Sequence, residues 1–91
     1  MSIQTINPTT GEVIESFEAF TARQIDDALN SARQAFFSWR ELSVEERGQH
    51  MRRLAGVLRE RQADLARIIT LEMGKPIAEA EAEVEKCAWA C

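Results

Sequence analysis

Ninety-one residues, 45% of them apolar and 29% charged, suffice for one small soluble domain. The net charge of −4 and pI near 5.0 argue against a general phosphate binder, and the arginines concentrated between Arg40 and Arg67 alternate with acidic residues as on a solvated helix face. No nucleic-acid partner is therefore expected. No membrane partner is expected either, because the chain lacks an apolar run of about 18 residues and its N-terminus lacks the basic start and apolar core of a signal peptide, which makes the cytoplasm the expected location.

The first predicted element is a β-hairpin over residues 3–18. Ile3 to Ile6 and Val13 to Phe17 read as extended pieces, and Asn7-Pro8-Thr9-Thr10-Gly11 between them is rich in turn formers. A lone two-stranded hairpin is marginal in water, so these strands need something further to pack on. Thr21 with Gln24 forms a capping box, with Phe20 and Ile25 spaced as a hydrophobic staple, and a helix over about 22–40 follows. Ile25, Ala28, Leu29, Ala32, Phe36 and Trp39 keep a 3.6-residue period, so this face is expected to be buried. The short link at Glu41-Leu42 predicts that this helix and the next pack as near neighbours.

Ser43 with Glu46 makes a second capping box and opens a helix over 44–73. Met51, Leu54, Leu58, Leu65, Ile68 and Ile69 form its apolar stripe; Arg61 and Gln62 interrupt it, which leaves open a straight helix or a kink or break near 60–63. Gly74 suits a left-handed cap, and Pro76 suits the first turn of a third helix over 76–91. The stripe of that helix is Ile77, Ala80, Val84, Cys87, Ala88 and Cys91. Its glutamates, Glu79, Glu81, Glu83 and Glu85, read as a solvated acidic face beside Lys75 and Lys86 rather than as catalytic carboxylates, since no nucleophile accompanies them. Cys87 and Cys91, four apart on a helix, have Cβ atoms about 5–6 Å apart against the ~3.5–4.5 Å of a disulfide, so both are expected reduced and buried as small apolar residues. With His50 distant in sequence they make no zinc set.

The four glycines are scattered, and one histidine with two C-terminal cysteines assembles no catalytic triad or dyad. Cys91 lies on an apolar stripe with no stop signal after it, so the chain is expected to be truncated. From the residues alone the reading is a strand pair plus three helices, incomplete and without chemistry: no catalytic and no cofactor-binding residue is assigned.

The order INPTTGEVI (Ile6 to Ile14), ARQAFFSW (Ala32 to Trp39), Glu46-Arg47, LEMGKP (Leu71 to Pro76) and EAEAEVEKCA (Glu79 to Ala88) resembles the N-terminal segment of the aldehyde dehydrogenase superfamily, above all its succinate-semialdehyde dehydrogenase-like members. The resemblance implies an α/β parent with a Rossmann-type cofactor domain, of which residues 1–91 are the opening, outer part. It implies an NAD(P)-dependent enzyme, using NAD or NADP, that oxidises a small-molecule aldehyde, succinate semialdehyde among the candidates. The acid forms through thiolate attack, hydride transfer and thioester hydrolysis, in a homo-oligomer when full length. The family's nucleophile, base, oxyanion-hole and dinucleotide residues belong to motifs beyond Cys91, and neither Cys87 nor Cys91 matches the catalytic-cysteine motif, so the 91 residues themselves are expected to be inactive. The resemblance also implies a structural Na⁺ or K⁺ held by the Ile6 carbonyl and Glu83, beside the reading of Glu83 as a solvated glutamate. The alternative from another class is a stand-alone helical interaction module without catalysis.

Overall fold

The Asn-Pro-Thr-Thr-Gly run turns the chain back on itself. The structure, a computed structural model, describes residues 2–91. β1 (Ser2–Ile6) pairs antiparallel with β2 (Val13–Glu18), Ile3 opposite Phe17 and Thr5 opposite Glu15. The register then slips so that Ile6 faces Val13, leaving Ile14 as the extra residue of a bulge. In the turn, the Gly11 amide donates to the Asn7 carbonyl at 2.8 Å, and Asn7 Oδ1 accepts from the Thr9 amide at 2.9 Å. Gly11 takes a left-handed φ of 76° to close it.

Four helices follow among the described residues: α1 (Ala22–Trp39), α2 (Val44–Glu60), α3 (Gln62–Met73) and α4 (Ile77–Ala90). Both capping boxes form as read from the sequence. Thr21 Oγ1 accepts from the Gln24 amide at 3.2 Å and Gln24 Oε1 from the Thr21 amide at 2.8 Å; Ser43 Oγ accepts from the Glu46 amide at 3.1 Å and Glu46 Oε2 from the Ser43 amide at 2.8 Å. The hydrogen bond from the Ser43 backbone, followed by that from its hydroxyl, holds the Glu46 carboxyl below its ordinary range.

The expected count of three helices is corrected to four. The run 44–73 divides at Arg61, whose φ of −98° and ψ of 12° leave the helical region where the apolar stripe is interrupted. Both sides of this joint are tied to α4: Arg59 pairs with Glu85, and Gln62 Nε2 donates to the Glu81 carbonyl at 2.9 Å. The change of direction thus lets α2 and α3 both lie on α4. The helix placed at Pro76 begins instead at Ile77, because Pro76 is extended (φ −55°, ψ 139°) and serves as its cap.

The core is small and made of small residues. Ala55, Ala66, Ala80, Val84 and Ala88 are buried where α2, α3 and α4 meet, and Leu58, Leu65 and Ile69 pack against them half-buried. Two further expectations are corrected here. The α1 stripe is not buried, with Leu29 at 65% and Phe36 at 54% exposure, and α1 does not pack beside α2; the Trp39 ring at its end, 5.1 Å from the His50 ring, is the aromatic contact between them. The physical reason is the link: Glu41 and Leu42 donate back to the Ser38 and Trp39 carbonyls, turning the chain at the end of α1, and no other element supplies the layer this stripe would cover. Likewise Met51, Leu54 and Ile68 of the long stripe stay exposed, while its flanking alanines are buried.

The molecule measures 48 × 36 × 14 Å with a radius of gyration of 17.2 Å. A compact chain of this length would have about 12 Å. Its accessible surface of 7488 Å² likewise exceeds the about 5,400 Å² of a compact protein of 10.3 kDa.

Candidate functional site

Gly74 ends α3 in the left-handed conformation, φ 72°, with its amide donating to the Thr70 carbonyl at 2.9 Å. A β-carbon at this position would stand 3.2 Å from Pro8 Cγ, so the hairpin turn is seated against the end of α3. The next residue, Lys75, reaches over the corner: its Nζ donates to Glu83 Oε2 on α4 at 2.7 Å. That hydrogen bond, the largest influence, pushes the Lys75 ammonium above its ordinary range. Lys75, Glu79, Glu83 and Lys86 line one groove with Ala82, Cys87 and Ala90, so its two cations face two anions.

On another side of α4, Arg59 grips Glu85 with both fork nitrogens, Nε at 3.2 Å from each carboxylate oxygen and Nη2 at 3.0 Å from Oε1. The Glu85 hydrogen bond raises the Arg59 pKa further. An apolar groove nearby is lined by Leu58, Leu65, Ile68, Ile69, Val84 and Cys87, and another by Ala35, Phe36, Ser38, Trp39 and Leu42 at the end of α1.

The residues singled out from the sequence fall as follows. Ile6 ends β1 opposite Val13, Glu83 sits on α4 bound to Lys75, and the turn that follows β1 is seated by Pro8 against Gly74 at the end of α3. Cys87 is exposed and Cys91 half-buried, both free, which corrects the expectation of two buried thiols: Ala80, Val84 and Ala88 occupy the face turned to α2 and α3, and Cys87 lies on its flank. His50 accepts at Nδ1 from Arg53 Nη2 at 2.8 Å and lies against Trp39. Among the described residues no three or more His, Cys, Asp or Glu side chains converge to hold a metal ion, and no helix is long and apolar enough to cross a membrane. Sequence reasoning missed Lys75, Arg59 and Glu85 as partners. Lys75 and Glu83 are eight residues apart and meet only because Gly74 and Pro76 fold the chain between them; the Gly-Lys-Pro corner itself was the available signal.

The starts of α1 and α2 are closed by their own side chains, Thr21 with Gln24 and Ser43 with Glu46, whereas α3 and α4 carry no side-chain cap.

The description "Aldehyde dehydrogenase family" belongs to the family model that matches residues 1–91. A probable succinate-semialdehyde dehydrogenase (NADP(+)) of Synechocystis sp. is 43% identical over 91 residues, 100% of this chain and 20% of the relative. A succinate semialdehyde dehydrogenase (NAD(P)+) of Escherichia coli (strain K12) is 42% identical over 86 residues, 94% of this chain and 19% of its own length. The crystal structure of succinic semialdehyde dehydrogenase from Streptococcus pyogenes, in complex with NADP+ as the cofactor, superposes with a TM-score of 0.84 at 37% identity, covering 93% of this chain and 19% of that one. The hairpin and four helices are thus a local arrangement seen in solved enzymes of this kind, and the chain spans about a fifth of the length of the curated relatives it matches.

Proposed function

The chain belongs to the aldehyde dehydrogenase family, and from that premise we propose that it is the opening segment of an NAD(P)-dependent enzyme oxidising a small aldehyde, of the semialdehyde class, to the carboxylic acid. The observation that carries this reading is the match along the whole chain to semialdehyde dehydrogenases, in sequence and in three-dimensional arrangement together. NAD or NADP, when bound, accepts the hydride; none of these 91 residues is assigned to hold it. Their part is structural: the seating of Pro8 on Gly74 and the ties of Arg59 and Lys75 to α4 fix a thin scaffold whose exposed apolar faces await the cofactor and catalytic layers.

A cytoplasmic location and homo-oligomeric assembly belong to the same reading. The resemblance further implies a monovalent cation at Ile6 and Glu83. Glu83, however, already accepts a hydrogen bond from the Lys75 ammonium, so an added ion fits these residues poorly.

The test is to express the full-length protein and follow NAD(P)H formation with succinate semialdehyde and with longer and shorter aldehydes. Aldehyde-dependent reduction of NAD or NADP is expected there, and neither activity nor saturable dinucleotide binding by residues 1–91 alone. A folded full-length protein that reduces neither cofactor with any aldehyde would refute the reading.

A further inference from the structure

We propose that the ammonium of Lys75 takes the place at Glu83 that the resemblance gives to Na⁺ or K⁺, so that the corner between the hairpin turn, α3 and α4 is closed by a side chain and needs no added cation. The inference rests on the functional reading above for the idea of an ion at this corner; the geometry argues the substitution.

Three observations carry it. First, the two groups are joined at 2.7 Å, the length of a charge-assisted hydrogen bond. The corner is built to hold them so, because Gly74 turns the chain left-handed, extended Pro76 leads into α4 at Ile77, and Lys75 between them is thrown back over the helix. Second, the groove beside the pair carries Lys75 and Lys86 against Glu79 and Glu83, so its formal charges already cancel and a further cation would add an excess positive charge. Third, a hard monovalent ion wants several oxygens around it, and the one carboxylate named for it already has its cation. Lys75 also ties the end of α3 to α4 beside the point where Pro8 is seated on Gly74.

The test compares full-length wild type, Lys75→Arg and Lys75→Met by thermal unfolding in KCl and in choline chloride at equal ionic strength. The quantity read is the gain in melting temperature on replacing choline by K⁺. The expected result is a larger gain in Lys75→Met than in the other two proteins, by about 2 °C or more, because removing the ammonium leaves the carboxylate open to the ion. Equal gains in all three overturn the proposal. If Lys75→Met does not fold, equilibrium dialysis of thallium(I), a K⁺ surrogate, against wild type and Glu83→Gln decides. Equal uptake by both is expected, and uptake by wild type that is lost in Glu83→Gln overturns it. Aldehyde-dependent NAD(P)H formation measured on the same preparation separates failure of this inference from failure of the functional reading, since the salt response does not depend on turnover.

Discussion

Gly74 is restricted to glycine by two separate demands, a positive φ and the closeness of Pro8, whereas Gly11 faces only the first, with nothing within 4 Å of where its β-carbon would be. Gly11→Ala should therefore cost about 1 kcal/mol, the usual strain of a left-handed alanine, and Gly74→Ala distinctly more. Denaturant titration of the two variants checks the order; equal costs would mean that Pro8 gives way freely. Glu46 shows how a cap becomes a pH dependence. Its folded carboxyl is held low by Ser43, so the stabilisation it contributes is present above the unfolded pKa and is lost as pH falls through the depressed value. Unfolding followed from neutral pH to the acid side of about pH 4 should show a steeper loss in wild type than in Glu46→Gln, which cannot titrate. For Lys75 the sign is reversed: its raised pKa contributes below the unfolded lysine value and is lost only in alkali.

At the scale of the elements, the packing of α3 on α4 turns on alanine. Ala66 and Ala80 are 0% exposed at the heart of the contact, so the helix backbones approach closely there. Ala80→Leu should destabilise by about 1–3 kcal/mol through overpacking. Arg59→Ala should cost distinctly less, since the Arg59–Glu85 pair is half exposed and screened. Chemical denaturation ranks the two, and a milder effect at Ala80 would show that the crossing has slack. These contacts mark the limit of what the sequence conveys. Capping boxes, the Asn-Pro turn and the left-handed Gly74 were legible because each is settled within four residues or so. The joint at Arg61 was legible only as an open choice, since its outcome depends on α4 gripping Arg59 and Gln62 from outside the segment. The apolar face of α1 was legible but its cover was not, because periodicity announces such a face without saying whether these residues contain its partner, and within them it stays exposed. At the candidate site, Glu83 came from family resemblance, while Lys75 required the corner to be seen folded.

At the scale of the molecule, a slab 14 Å thick is scarcely deeper than one helix, and its surface exceeds that of a compact protein of its mass by roughly 2,000 Å². Much of it is apolar, with Leu29, Phe36 and Trp89 among the exposed side chains. Residues 1–91 prepared alone should remain helical yet self-associate, and Leu29→Glu with Phe36→Glu should reduce the association without loss of helix. Sedimentation together with far-ultraviolet circular dichroism reads both, and a monomeric wild type at high concentration would contradict the expectation. The thinness also has a consequence in time. The hairpin forms from neighbouring strands, and α2, α3 and α4 close on one another within a short stretch of chain, so this layer can take shape as soon as it leaves the ribosome. In a parent of the relatives' length, about 360 residues would follow, on the order of 20–70 s of synthesis at about 5–20 residues per second. Through that interval the nascent scaffold would stand with its apolar side uncovered, so that in such a parent the speed of translation would bear on how the layer is covered.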